Sequence, residues 1–440
     1  MKEITASEFE NEVLHGGKVV IDFYSSECPP CEALAPKFES LQTLYGDDIK
    51  FIKIFRQQNR SLADQLEVKS SPTLLFFDNG KEVGTRLTGG IKRSDIIHNL
   101  DQMLASDRVT EIKSKIESFS SEFDVIIIGA GPGGLTAGLY LCQAHVNAVL
   151  VDIALPGGQV ATTHEVSNYP GFIEPQPGYM LSHNMSEQTK QCGTVYKVAV
   201  DVTKVDLAKK EVVIDEFETI KAKKIIIATG TSPNLTGAKG EKELKGKGIS
   251  YCATCDAKYY GDKEVVVIGG GNSAVEESLF ITRFASKVTL VHQFDKLTAN
   301  KEAQEKLFAN PKINVLYNHE PRSFSKEGGK IATDIENLKT KERTKLNSDG
   351  VFIFIGMKPN ISLFGQSLDL DKWGYIKTDE DMRTNIPDVF AVGDVTSKKY
   401  RHITKYCAIS RPPFSSFIKS LLHLFFFHSQ ILIHAFTFCS

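Results

Sequence analysis

Few local patterns constrain a chain as much as an apolar strand that runs into a glycine-rich turn and then into a helix of small residues. This 440-residue sequence carries that pattern twice, as FDVIIIGAGPGGLTAGLYL at 123–141 and as KEVVVIGGGNSAVEESLFI at 263–281. Gly129, Gly131 and Gly134 form one G-x-G-x-x-G; Gly269, Gly271 and Ala274 form a G-x-G-x-x-A. In such a turn the first glycine bends the chain, the second lets backbone approach a pyrophosphate, and the third small residue lets the helix pack on the strand. Asp152 closes the strand VNAVLVD, 23 residues after Gly129, where an acid can bind a ribose hydroxyl pair. Later, Gly393-Asp394 follows VFAV and supplies a second acid, suited to ribityl hydroxyls. Two dinucleotide sites in one chain point to electron relay from a nicotinamide to a flavin. The segments IIIATG, VFIFIGMKPN and VFAVGD place the end of the first fold after the second, so an α/β architecture with one dinucleotide fold inserted in another is expected.

Two Cys-x-x-Cys pairs accompany these folds. Cys28 and Cys31 follow the buried-strand pattern KVVIDFY, and Leu34, Phe38, Leu41 and Tyr45 then recur at helical spacing. A cysteine at a helix start is stabilised as thiolate by the orphan N–H groups there, and Cys31, one turn in, is placed to resolve a mixed disulfide. Cys252 and Cys255 stand in SYCATCDA, directly before Asp256. The pairs are 221 residues apart and no His flanks either, so a metal site is not expected. Eight cysteines are too few for a disulfide scaffold, and MKEITASEFENEV lacks the apolar stretch of a signal peptide. A cytoplasmic location is therefore expected. A net charge of -2, from 52 basic and 54 acidic residues, gives no pull toward nucleic acid.

Residues 1–106 resemble thioredoxin. Asp22 matches that family's buried carboxylate, Lys53 its lysine partner, Pro36 the proline of the active-site helix and Pro72 the cis-proline facing the thiols. Glu27 and Pro29 depart from the family, which usually carries Trp and Gly there. From 123 to about 404 the chain resembles the low-molecular-weight thioredoxin reductases: GAGPGGLTAGLY, PGGQVATTHEVSNYPGF, IIIATG, CATCD, GGGNSAVEE, FIFIGMKPN and FAVGD occur in that family's order. The resemblance implies that Gly129, Gly131, Gly134, Asp152, Gln159, Asn168, Gly393 and Asp394 hold FAD. It implies that Gly269, Gly271 and Ala274 receive NADH or NADPH. By the same resemblance Cys255 faces the flavin, Cys252 attacks the outside disulfide, and Asp256 is the general acid/base. The chain is then expected to be a reductase joined to its own thioredoxin, acting on protein disulfides and on peroxiredoxins, and homodimeric. A peroxiredoxin (alkyl hydroperoxide) reductase is a rival reading, although its front end is a double domain. A flavin-free redox-binding adaptor is another.

The expected organisation is a thioredoxin-like domain at 1–106, a linker at 107–122 and the FAD fold at 123–232 and 356–410. The NAD(P) fold with its CATC pair is expected at 233–355. Residues 411–440 form a divergent hydrophobic tail. Residues 420–440 carry no Lys, Arg, Asp or Glu, so an aberrant terminus, a membrane segment and a packed helix are the three readings of it. In place of the family's His-Arg-Arg-x-x-x-Arg the chain reads His292-Gln293-Phe294-Asp295-Lys296-Leu297-Thr298. A strong NADPH preference is therefore not expected. NADH, or an iron–sulfur protein acting on the flavin, is a candidate donor.

Overall fold

A computed structural model of the chain describes residues 1–162, 166 and 169–397, without the side chains of Thr254 and Cys255. The tail at 411–440 and Asn168 lie outside the described residues. Among the described residues no helix is long and apolar enough to cross a membrane.

The N-terminal domain is a five-stranded sheet in the order Lys2–Glu3, Lys50–Phe55, Lys18–Tyr24, Thr73–Asp78, Lys81–Thr88. Val19 to Phe23 are all buried because helices cover both faces of this central strand. The helix Pro29–Tyr45 turns Leu34, Phe38, Leu41 and Tyr45 inward, at the spacing read from the sequence. The hairpin at 78–81 turns through Asn79 (φ 48°) and Gly80 (φ 77°), the left-handed pair such a turn requires.

The linker expectation does not survive. Residues Ser106–Ser114 form a helix whose Ile112 is fully buried in the same core as Leu34 and Phe38. Arg108 bonds Asp48 at 2.8 Å and Lys113 bonds Asp101 at 2.7 Å, fixing the helix to the N-terminal domain. The strand Phe119–Ile128 then begins earlier than its apolar run, because Phe119 to Glu122 pair with Glu218 to Lys221. A single buried Ile among polar residues leaves almost no periodic signal. What remains between these elements is 115–118, which reaches only about 13–14 Å when extended.

The first dinucleotide fold is a seven-stranded sheet. Val195–Val198, Ala148–Asp152, Phe119–Ile128, Glu218–Ile227 and Val389–Ala391 run parallel, and Glu211–Ile214 and Val202–Asp206 add antiparallel. Val389–Ala391 pairs with Ile225–Ile227, so the fold closes only after the second fold has been made. That second fold is a parallel sheet ordered Ile249–Ser250, Gly350–Phe354, Glu264–Gly269, Lys287–His292, Ile313–Tyr317. Three antiparallel strands between 319 and 348 cover it. The two chain crossings between the folds pair as a ribbon, Thr231–Pro233 with Met357–Pro359.

Candidate functional site

Cys28 and Cys31 are joined as a disulfide at the start of the helix Pro29–Tyr45. Cys28 caps that helix: its Sγ accepts from the Cys31 N–H at 3.2 Å. The cis peptide Ser71–Pro72 lies opposite, with the Ser71 carbonyl oxygen 3.5 Å from Cys28 Sγ. Both sulfur-bearing residues are buried, while Ser26, Glu27 and Pro29 around them are exposed. In the strand Lys18–Tyr24, Asp22 is 2 % exposed, and its Oδ1 has no hydrogen-bond partner among the described residues. Burial pushes its carboxyl up to about 7, against the opposing pull of Lys53. The arrangement is a buried disulfide flanked by exposed residues, in one domain with a buried carboxyl whose proton affinity is raised.

The first glycine turn opens onto a cavity of about 700 Å³. Gly129, Gly131, Asp152, Gln159, Gly393 and Asp394, six of the eight residues expected to hold FAD, line it. Gly134 does not; it packs beneath, where a Cβ would stand 1.8 Å from the Gly129 carbonyl oxygen. At Gly131 the nearest atom to such a Cβ is Gly158 Cα at 3.9 Å, so that position faces open space. Asp152 accepts from the N–H groups of Ala130 (2.5 Å), Ala154 (2.8 Å) and Ile153, which leaves one of its four acceptor sites for a ribose hydroxyl. Burial pushes the Asp152 carboxyl up, and these backbone bonds oppose that. Sequence reasoning missed Thr231, whose buried Oγ1 has no hydrogen-bond partner among the described residues although the residue lines the cavity. A buried hydroxyl without a partner is costly unless a ligand supplies one. The open glycine, the paired acid and this hydroxyl fit a dinucleotide. Nothing in the chain pattern distinguishes Thr231 from any residue after IIIATG.

The second turn borders a cavity of about 600 Å³, lined by Gly269 to Ser273, Gln293, Phe294, Thr298 and Glu320 among others. Ala274 packs under Gly269, where a Cβ would meet Ala274 Cβ at 2.8 Å and the Phe354 carbonyl oxygen at 2.4 Å. Buried His292 lies against Gly270, leaving no room for a Cβ there, and its Nε2 lies 3.1 Å from the Lys296 carbonyl oxygen. Burial lowers its pKa, and the contact with the Lys296 carbonyl opposes that. Thr298 is tied back to the turn, its N–H donating to the Gly270 carbonyl at 2.8 Å. No Lys or Arg lines this cavity among the described residues, whereas Glu320 does. Cys252 is disulfide-bonded and immediately precedes the short helix Ala253–Asp256, which buries Ala253 in the core of the second fold. The redox pair is thus carried by the second fold. No residue of 252–256 appears among the described residues lining either cavity.

These are the parts of a two-cofactor disulfide oxidoreductase. Residues 123–408 match the pyridine nucleotide-disulphide oxidoreductase family and residues 1–102 match thioredoxin. The chain belongs to the pyridine nucleotide-disulphide oxidoreductase family. It is 42 % identical over 293 residues to a thioredoxin reductase of Peptoclostridium acidaminophilum, covering 65 % of this chain and 93 % of that protein. It is equally identical over 282 residues to the thioredoxin reductase of Bacillus subtilis, covering 64 % and 89 %. Among solved structures, the thioredoxin reductase of Streptococcus pyogenes matches with a TM-score of 0.58 at 34 % identity, covering 69 % of this chain and 99 % of that one. That of Lactococcus lactis matches at 0.54 and 36 %, with the same coverage. The particular assignment is an FAD- and NAD(P)H-dependent thioredoxin reductase fused to a thioredoxin domain, acting on protein disulfides.

Proposed function

We propose that this chain reduces its own Cys28–Cys31 disulfide through Cys252 and Cys255 and passes the electrons on to outside protein disulfides, peroxiredoxins among them. The carrying observation is one polypeptide with two Cys-x-x-Cys pairs, each at the start of a helix, with Cys28 and Cys31 joined as a disulfide flanked by exposed Ser26, Glu27 and Pro29. FAD, when bound, would supply a two-electron path from a nicotinamide to a disulfide. Cys255 would be the thiol of the pair presented to it, and Asp256 would give and take the proton at that thiol. Cys252 as thiolate attacks Cys28, forming the Cys252–Cys28 bond and releasing Cys31 as thiolate. Cys255 then attacks Cys252, re-forming the Cys252–Cys255 bond and releasing Cys28. Gly129, Gly131, Asp152, Gln159, Asn168, Gly393 and Asp394 hold the flavin, with Gly134 setting the helix beneath. Gly269 and Gly271, with Ala274 beneath them, receive the nicotinamide dinucleotide.

The donor is not strongly restricted to NADPH, because the cavity beside Gly271 presents Gln293, Phe294, Thr298 and Glu320. A homodimer is supported by a run of exposed apolar side chains on the first fold, Phe172, Ile173, Tyr179 and Met180, with Ile173 fully exposed. Sedimentation of the full chain checks it. The cytoplasm, where dithiols are kept reduced, suits the reaction.

Rapid mixing of the full chain with reductant, followed by alkylation and mass spectrometry of Cys28 and Cys31, tests the relay. Transfer within one chain, or within a fixed dimer, gives a rate independent of protein concentration that Cys252→Ser abolishes. A rate unaffected by Cys252→Ser would refute the assignment.

A further inference from the structure

The N-terminal domain packs on the first dinucleotide fold through a defined face. Lys37 Nζ donates to the carbonyl oxygens of Val198 (3.1 Å) and Ala199 (2.6 Å), as well as to Ile91 of its own domain (3.0 Å). Glu32 pairs with Lys190, and the Arg93 guanidinium lies 4.9 Å from the Phe217 ring centroid. Two further contacts fall on residues that line the flavin cavity. Gly90 abuts Leu155 so closely that a Cβ would stand 3.1 Å from its Cγ. Lys92 Nζ bonds Asp201 Oδ1 at 2.9 Å, and the Ser94 hydroxyl donates to the other oxygen. Lys92, Leu155 and Asp201 are all part of the cavity wall.

Their position within the cavity follows from the chain. Val200 donates to the Asp152 carbonyl and Ala199 to the Ala154 carbonyl, so Asp201 stands beside the end of the strand Ala148–Asp152. That is the end bearing the acid suited to the adenosine ribose. Lys92 therefore belongs to the adenosine end of the site, although it is carried by another domain. The bond to Asp201 holds its ammonium at that end.

We propose that the thioredoxin domain supplies part of the FAD site: docked on the first fold, it closes the adenosine end with Lys92, and FAD binding and docking reinforce each other. An ammonium there finds acceptors on adenine nitrogens and ribose oxygens, and Leu155 is held in place by Gly90. Because the coupling is thermodynamic it acts in both directions by the same factor. The inference rests on FAD occupying this cavity.

The test uses the full chain freed of flavin and titrated with FAD, read by quenching of flavin fluorescence. Lys92→Ala should raise the Kd about five- to tenfold, the worth of one partly exposed charged contact, and Lys92→Arg should restore most of the loss. Reciprocally, FAD should slow hydrogen exchange across Ile91–Ser94 in the native chain but not in Lys92→Ala. An unchanged Kd in Lys92→Ala, within twofold, together with FAD-independent exchange at Ile91–Ser94, overturns the coupling while leaving the FAD assignment intact. A native chain that bound no FAD would overturn both.

Discussion

Selectivity between NADPH and NADH is decided by a 2′-phosphate, and the second cavity can be rewritten to bind one. Gln293 and Phe294 line it beside the glycine turn, both exposed, Phe294 at 52 %. Arginine at each position offers a charge-assisted hydrogen bond of about 1.5–3 kcal/mol. Solvent exposure screens such contacts, so the lower figure applies. Two of them give about 3 kcal/mol, roughly a hundredfold in kcat/KM. Glu320, in the same lining, repels a phosphate in the native chain and is paired with Arg322 at 3.0 Å. Thr298 adds no charge, and its N–H is committed to Gly270.

Steady-state reduction with the two nucleotides side by side is the assay. The native chain should favour NADPH over NADH by well under a hundredfold in kcat/KM, and the double variant Gln293→Arg, Phe294→Arg should move the ratio toward NADPH by roughly a hundredfold. Added salt should shrink that gain. A native ratio of about a hundredfold or more in favour of NADPH would refute the reasoning, because it would require a phosphate site that the lining of this cavity does not contain.

Other perturbations separate packing from chemistry. Gly131→Ala should leave the first fold intact and lower FAD affinity at least about tenfold, whereas Gly134→Ala should unfold it, since its Cβ would stand 1.8 Å from a carbonyl oxygen; circular dichroism and FAD titration distinguish the two. Cys255→Ser should accumulate a Cys252–Cys28 mixed disulfide on non-reducing peptide maps, and Cys252→Ser should not. Asp22, with its carboxyl raised to about 7 by burial, binds a proton in the folded state that the unfolded chain gives up near pH 4. Stability of the N-terminal domain should therefore be greatest below about pH 4 as far as this group is concerned, and should fall by up to about 4 kcal/mol as pH rises to 7. Asp22→Asn should remove that fall, as read by hydrogen exchange across Lys18–Tyr24 after correction for the intrinsic pH dependence.

What could be read from the chain and what could not divide along a physical line. Gly129, Gly134 and Gly269 were legible because the constraint on them is local: a Cβ strikes backbone of the same turn or of the next strand. The helix face Leu34, Phe38, Leu41, Tyr45 was legible because burial repeats with the helical period. The helix Ser106–Ser114 was not, because it buries a single Ile and its other ties to the domain are ion pairs from Arg108 and Lys113, which leave no periodic pattern. The domain interface left still less trace. Lys37 is received by main-chain carbonyls, which every residue possesses, and Lys92 meets an acid 109 positions away. In GGIKRSD such a lysine reads as one solvated charge among several. Its role exists only once Gly90 has brought the loop against Leu155. That close approach is the kind of requirement a glycine records, and at Gly90 it lets the edge of the first domain meet another surface.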